Sequence, residues 1–147
     1  MSAALTDLIA LVPTPPGAAI HRPGHAGDLA GTGHGARIDL RDARALFEGG
    51  DVLVAHAAFV AGRLGTRAQV MLFDVLELYA FVRPGMPFVP SALGLARALG
   101  LGLPHTADES AALLHPIAQA LLDEVAGWPP DVRENLAPLI GTLHRAG

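Results

Sequence analysis

Apolar residues along this chain come in two patterns: short β-branched runs closed by turn formers, and longer stretches with apolar positions every third or fourth residue. Leu8–Val12 is a short run that Pro13, Pro15 and Pro16 should stop, and Gly17–His21 reads as the returning strand of a hairpin. His21 to Gly35 is rich in Gly and His and has no apolar period, so a loop is expected there. Ile38-Asp-Leu fits either a strand fragment or the beginning of a helix. Asp39 is then a candidate N-cap for a helix over Leu40–Phe47 that Gly49-Gly50 ends.

Two strand–helix units follow. Val52–Ala55 is short, β-branched and bounded by turns, as a buried parallel strand should be, and a helix over Ala57–Leu64 closes at Gly65. Val70–Phe73 repeats the pattern, with Asp74 placed to cap a helix over Val75–Val82 before Pro84. Residues 84–90 form a proline-rich extended connector, and Ser91 is a good N-cap for Ala92–Leu99, stopped by Gly100. Asp108–Ala126 is the longest helical pattern. Pro116 inside it implies either a kink or two helices, the second starting near His115. Asp131–Arg145 reads as a last amphipathic helix whose stripe of Leu136, Leu139, Ile140 and Leu143 must face something. Early strands, alternation, then helices is an α/β layout, expected as a single domain with a helical C-terminal part.

Composition narrows the possibilities. A length of 147 residues suits one core. Mean hydropathy is high at +0.40, yet no uncharged apolar run approaches the roughly 18–20 residues of a membrane span. The start of the chain lacks the basic flank of a signal peptide, and with no cysteine there is neither a disulfide framework nor a thiolate metal site, so a cytoplasmic protein is expected. All 10 basic residues are arginine, and the formal charge is −4, which argues against a strong sequence-independent grip on nucleic acid. Acidic residues outnumber arginine only after residue 100, so any nucleic-acid contact should avoid the C-terminal helices.

Polar residues at the two strand ends, His56 and Asp74, are the first candidates for chemistry. A histidine at a strand end without partner carboxylates is more often structural than catalytic. His21, His25 and His34 have a spacing that fits no rigid element, so metal binding by them is not expected. Asp74 and Glu77 share a helix face, but capping and solvation explain both. Tyr79, Phe81, Phe88 and Trp128 read as core or connector anchors, because few basic residues interleave with them.

The order of these motifs, from Leu8 to Val125, resembles DEDDh-type 3′–5′ exonucleases. That likeness implies an RNase H-like mixed sheet flanked by helices. In that family, carboxylates on the first strand, in a His-Asn block and on a late helix hold two divalent ions, and a histidine activates water. Here the first pair falls near Val12 and Thr14, the His-Asn block is His56-Ala-Ala-Phe-Val-Ala61 with Val60 or Ala61 at the aspartate, and the late block is His105-Thr-Ala-Asp-Glu-Ser-Ala111 with Ser110 at the last carboxylate. The resemblance therefore implies a domain without metal or catalysis, in which His56, Asp74, His105 and Ser110 are vestigial positions.

Residues 76–100, with Leu-Glu-Leu-Tyr-Ala-Phe-Val-Arg-Pro, Phe-Val-Pro and Gly-Leu-Ala-Arg-Ala-Leu-Gly-Leu, also resemble the N-terminal region of alphaproteobacterial DinG-type ATP-dependent DNA helicases. On that resemblance, residues 1–126 are a degenerate exonuclease-like domain and 127–147 a helix leading towards a helicase motor. The chain itself holds no phosphate-binding loop, so ATP and Mg²⁺ belong to the motor alone. The expected role is an inactive docking module with at most weak single-stranded DNA contact through Arg63, Arg67 and His56. Two alternatives are an active nuclease with ligands relocated to Asp74, Glu77, Asp108 and Glu109 and His105 as base, and a stand-alone oligomerisation domain using the C-terminal leucines.

Overall fold

The computed structural model describes residues 5–24, 33–67 and 73–135. Five strands form one mixed sheet: β1 (Ile9–Thr14), β2 (Gly17–Arg22), β3 (His34–Asp39), β4 (Val52–Val54) and β5 (Phe73–Asp74), in the order β3-β2-β1-β4-β5. β2 is antiparallel to both β1 and β3, whereas β4 is parallel to both β1 and β5. Only β2 therefore runs against the others. The strand expected over Val70–Phe73 is seen at Phe73, beside Leu53, and residues 70–72 lie outside the described residues.

Side-chain alternation along the strands divides the core in two. Leu11, Val52 and Val54 point to one face, where they meet Phe47 of α1 (Leu40–Gly49) and Val60 and Leu64 of α2 (Ala57–Leu64). Ala10 and Leu53 point to the other, against Tyr79 of α3 (Val75–Val82), Leu95 of α4 (Ala92–Ala98) and Leu114, Ile117 and Leu121 of α5 (Ala107–Ala126). Val52, Leu53 and Val54 are all fully buried, which is why β4 is apolar throughout instead of alternating. Arg83, just after α3, donates to Glu124 of α5 at 3.0 Å and to the carbonyl of Ala98 at 3.2 Å, joining the ends of three helices.

The caps follow the local sequence. The Asp39 carboxylate accepts from the Asp42 N–H at 2.8 Å, and Ser91 Oγ from the Gly94 N–H at 3.1 Å. Gly50 and Gly65 close α1 and α2 with φ of 95° and 66°.

Two expectations change, and one pair of alternatives is decided. Pro13 does not stop β1, which continues to Thr14. Thr14 and Gly17 flank the Pro15–Pro16 turn as a hydrogen-bonded pair, so the Pro13 nitrogen points away from β2, on a side where the β4 pairing has already ended at Ala10–Leu53. No N–H is missed there.

Residues 34–35, expected within a loop, begin β3. This edge strand is exposed along nearly its whole length and so has no apolar alternation to read; backbone pairing with β2 holds it. A Cβ on Gly17 would sit 2.0 Å from the Ile38 carbonyl oxygen, so the close approach of the two strands needs glycine at that position.

α5 is one helix of 20 residues that runs through Pro116, which leaves the single-helix reading of that proline, and no second helix starts near His115. The buried stripe of Ala111, Leu114, Ile117, Ala118 and Leu121 spans both sides of the proline, and that burial offsets the lost hydrogen bond. Beyond it, residues 130–135 are helical, and the leucine stripe from Leu136 onward lies outside the described residues. No described helix is long and apolar enough to cross a membrane.

Candidate functional site at the carboxyl ends of the parallel strands

β4 and β5 end side by side, and the helices that follow them begin there, which is where parallel sheets most often present ligand groups. Asp74 is the one buried charged residue among those described. One of its carboxylate oxygens accepts the Ala57 N–H at 2.7 Å; the other accepts the N–H groups of Leu76 at 2.8 Å and Glu77 at 3.3 Å. It therefore caps its own helix and the first turn of the preceding one. Two helix N-termini supply the partial positive charge that an otherwise unpaired carboxylate needs. With three lone-pair directions taken by backbone, Asp74 is built into the fold and is not presented to a ligand.

His56 occupies the N-cap position of α2 but its side chain makes no capping bond. Its ring lies nearly parallel to Phe59, at 13° with centroids 6.5 Å apart, and Phe59 is 55 % exposed. Arg63, one helical turn beyond Phe59, is exposed too, with no described ion pair or hydrogen bond. Arg67 lies past Gly65 at the far end of α2, roughly 12 Å along an eight-residue helix from His56. There the Arg44 guanidinium donates to the Leu64 carbonyl and Thr66 hydrogen-bonds Glu48. His56 thus lies beside one exposed aromatic ring, with Arg63 one helical turn further along α2, while Arg67 stands apart.

The late block is elsewhere. Thr106 and Glu109 form a reciprocal capping box at the start of α5, and the Glu109 carboxylate also accepts the His105 N–H at 2.6 Å. Ser110 Oγ donates back to the Thr106 carbonyl at 2.9 Å. Asp108 is gripped bidentately by Arg37 of β3 at 2.7 and 2.8 Å, and that guanidinium holds its carboxyl below the ordinary carboxylate value. β3 and β5 are the opposite edges of the sheet, about 19 Å apart at ~4.8 Å per strand.

Asp74, Glu77, Asp108, Glu109 and His105 therefore do not assemble into one relocated site. Among the described residues no three His, Asp or Glu side chains gather as a metal-binding group. Of the histidines weighed for metal, His25 lies outside the described residues. His21 is registered with Gly35 and His34 with Arg22, so those two rings leave opposite faces of the hairpin.

An apolar cavity of about 430 Å³ between the connector and α4 is lined by Pro87, Phe88, Val89, Leu93, Arg97 and Ala98, away from these strand ends. Phe59 is the residue that sequence reasoning passed over. Its place three residues after His56, on a helix whose buried positions are Val60, Ala61 and Leu64, was the signal available. Compared with known families, curated proteins and solved structures, the chain matches none.

Proposed function

We propose that this chain is an exonuclease-like domain of RNase H-like architecture that has lost phosphodiester cleavage and serves as an accessory module, docked to the motor of a DinG-like DNA helicase. A mixed sheet in which only the second strand is reversed, covered by helices on both faces, is compatible with that architecture. The loss of chemistry does not rest on Asp74, which in that family is more a structural feature than a metal ligand and here is committed to three backbone N–H groups. The observation that carries it lies at the positions where the resemblance puts metal ligands. Val12 and Thr14 close β1, Val60 and Ala61 are buried against α1, and Ser110 bonds within its own helix. Two-metal hydrolysis needs hard oxygen donors at those places, and apolar or hydroxyl side chains do not supply them.

The residual capacity is for single strands. Phe59, with His56 beside it and Arg63 one turn on, offers a π-face and a cation to an unpaired base and its phosphate. One or two cations make such contact weak and salt-sensitive. Labelled single-stranded DNA incubated with the chain and Mg²⁺ or Mn²⁺ should stay intact, while its fluorescence anisotropy should rise at low salt and fall back at high salt. Metal-dependent cleavage by a homogeneous preparation would overturn the reading.

A further inference from the structure

Two imidazoles meet between α5 and the β1–β2 hairpin. His115, midway along α5, bonds through Nε2 to the Leu8 carbonyl at 3.0 Å; a carbonyl only accepts, so Nε2 carries the proton. Its Nδ1 is buried without a partner, and so is Nδ1 of His21, across β2, whose ring lies 5.9 Å from that of His115 at 59°. His21 is seated tightly, since a Cβ on Gly33 would come within 2.4 Å of its ring.

Among the described groups that act on the two rings, none is a carboxylate. On α5 the neighbours one turn either side of His115 are Ala111, Ala112, Ala118 and Gln119. Ala10 pairs with His21 from β1, and Gly35 from β3. His34 on β3 adds latent positive charge, Arg22 leaves the opposite face with it, and Asp108 is held by Arg37. The turn at Leu5–Asp7 contributes the Leu5 carbonyl, and its Asp7 side chain is exposed.

We propose that the His21–His115 pair is an acid-sensitive latch between α5 and the β1–β2 hairpin, closed while both rings are neutral and opened by mild acidification. Charging either ring places an imidazolium in a site with no carboxylate among its described partners, and the second proton would arrive beside the first. Burial pushes both histidines below their ordinary value of 6.5, His34 and His21 adding repulsion, against which the Leu5 and Leu8 carbonyls pull His115 upward. The unfolded or opened chain therefore binds more protons. The latch has full strength above about pH 6.5 and weakens as pH falls from there through the lower folded values. Opening would release the Leu8 carbonyl, and with it the start of β1, from α5.

The test is amide hydrogen exchange on the whole chain at pH 7.5 and 5.5, corrected for intrinsic rates. Exchange around Leu8–Leu11 and the first half of α5 should increase by up to about tenfold per pH unit for each ring that stays neutral when closed. His115→Gln keeps a donor for Leu8, and His21→Phe keeps the seat; each should flatten this response. Equal acid response in wild type and both variants would overturn the latch. Should a variant not fold, the imidazole titrations of the wild type by NMR decide: both rings titrating below 6.5 supports the proposal, and a shared proton that raises either one sinks it.

Discussion

The Asp74 carboxylate accepts the backbone N–H of Ala57 at 2.7 Å across 17 residues of sequence, tying the first turn of one helix to the strand end that begins the next. The two crossover units of the sheet are locked together by one acid.

Asp74→Ala should therefore be among the most destabilising single changes in the chain. It removes a helix cap worth about 1 kcal/mol and leaves the Ala57 N–H unpartnered, at about 1–3 kcal/mol for a bond to a charged group. Urea denaturation should show a loss of about 3 kcal/mol. A loss under ~1 kcal/mol would mean that water replaces the carboxylate and the shared cap is incidental.

Two glycines in helices should respond oppositely to alanine. At Gly94 a Cβ would lie 2.2 Å from the Val89 carbonyl, so α4 would have to leave the connector, a cost of about 1–3 kcal/mol. At Gly62, in α2, a Cβ meets nothing within 4 Å and the helix gains about 0.5–1 kcal/mol. Thermal midpoints of Gly94→Ala and Gly62→Ala should straddle the wild type.

Arg37 and Asp108, each about half exposed, form an edge contact, so Arg37→Ala should change stability little and the change should fade in high salt. The Asp108 carboxyl sits below its ordinary 3.8 because of the Arg37 hydrogen bonds. A depressed acid contributes above its unfolded value and loses that contribution as pH falls through the folded one, so any difference between wild type and variant belongs above about pH 4 and closes below it. Melts from pH 3 to 7 check the sign.

Single-strand contact, if Phe59 supplies it, should weaken by about 1–3 kcal/mol in Phe59→Ala, while Arg63→Ala should lower the slope of log affinity against log salt by about 0.7. Anisotropy titrations over a salt series separate the two effects. Unchanged affinity in both variants would move any DNA contact off α2.

What was legible before folding was local. Asp39, Asp74 and Ser91 cap helices through N–H groups two or three residues ahead of them, and Gly65 ends α2 through its own backbone, so near neighbours suffice to specify each. β4 was legible because burial on both faces writes an unbroken apolar run. The expected helix Ala57–Leu64 matches its observed bounds for the same reason: its buried face and terminal glycine are contiguous.

Tertiary structure decided what lies beyond that range. β3 is a strand because β2 offers its edge, although its own residues are mostly exposed. α5 passes through Pro116 because the sheet buries its stripe on both sides, a gain that no helix propensity contains. The second helix held by Asp74, the Arg37 clasp on Asp108 and the meeting of His21 with His115 join residues 17, 71 and 94 positions apart. In each case the residue types were plain in the sequence, and their pairing was not. Pairing over such separations depends on which strand lies beside which, and that is set by burial of the whole sheet between its two helical layers.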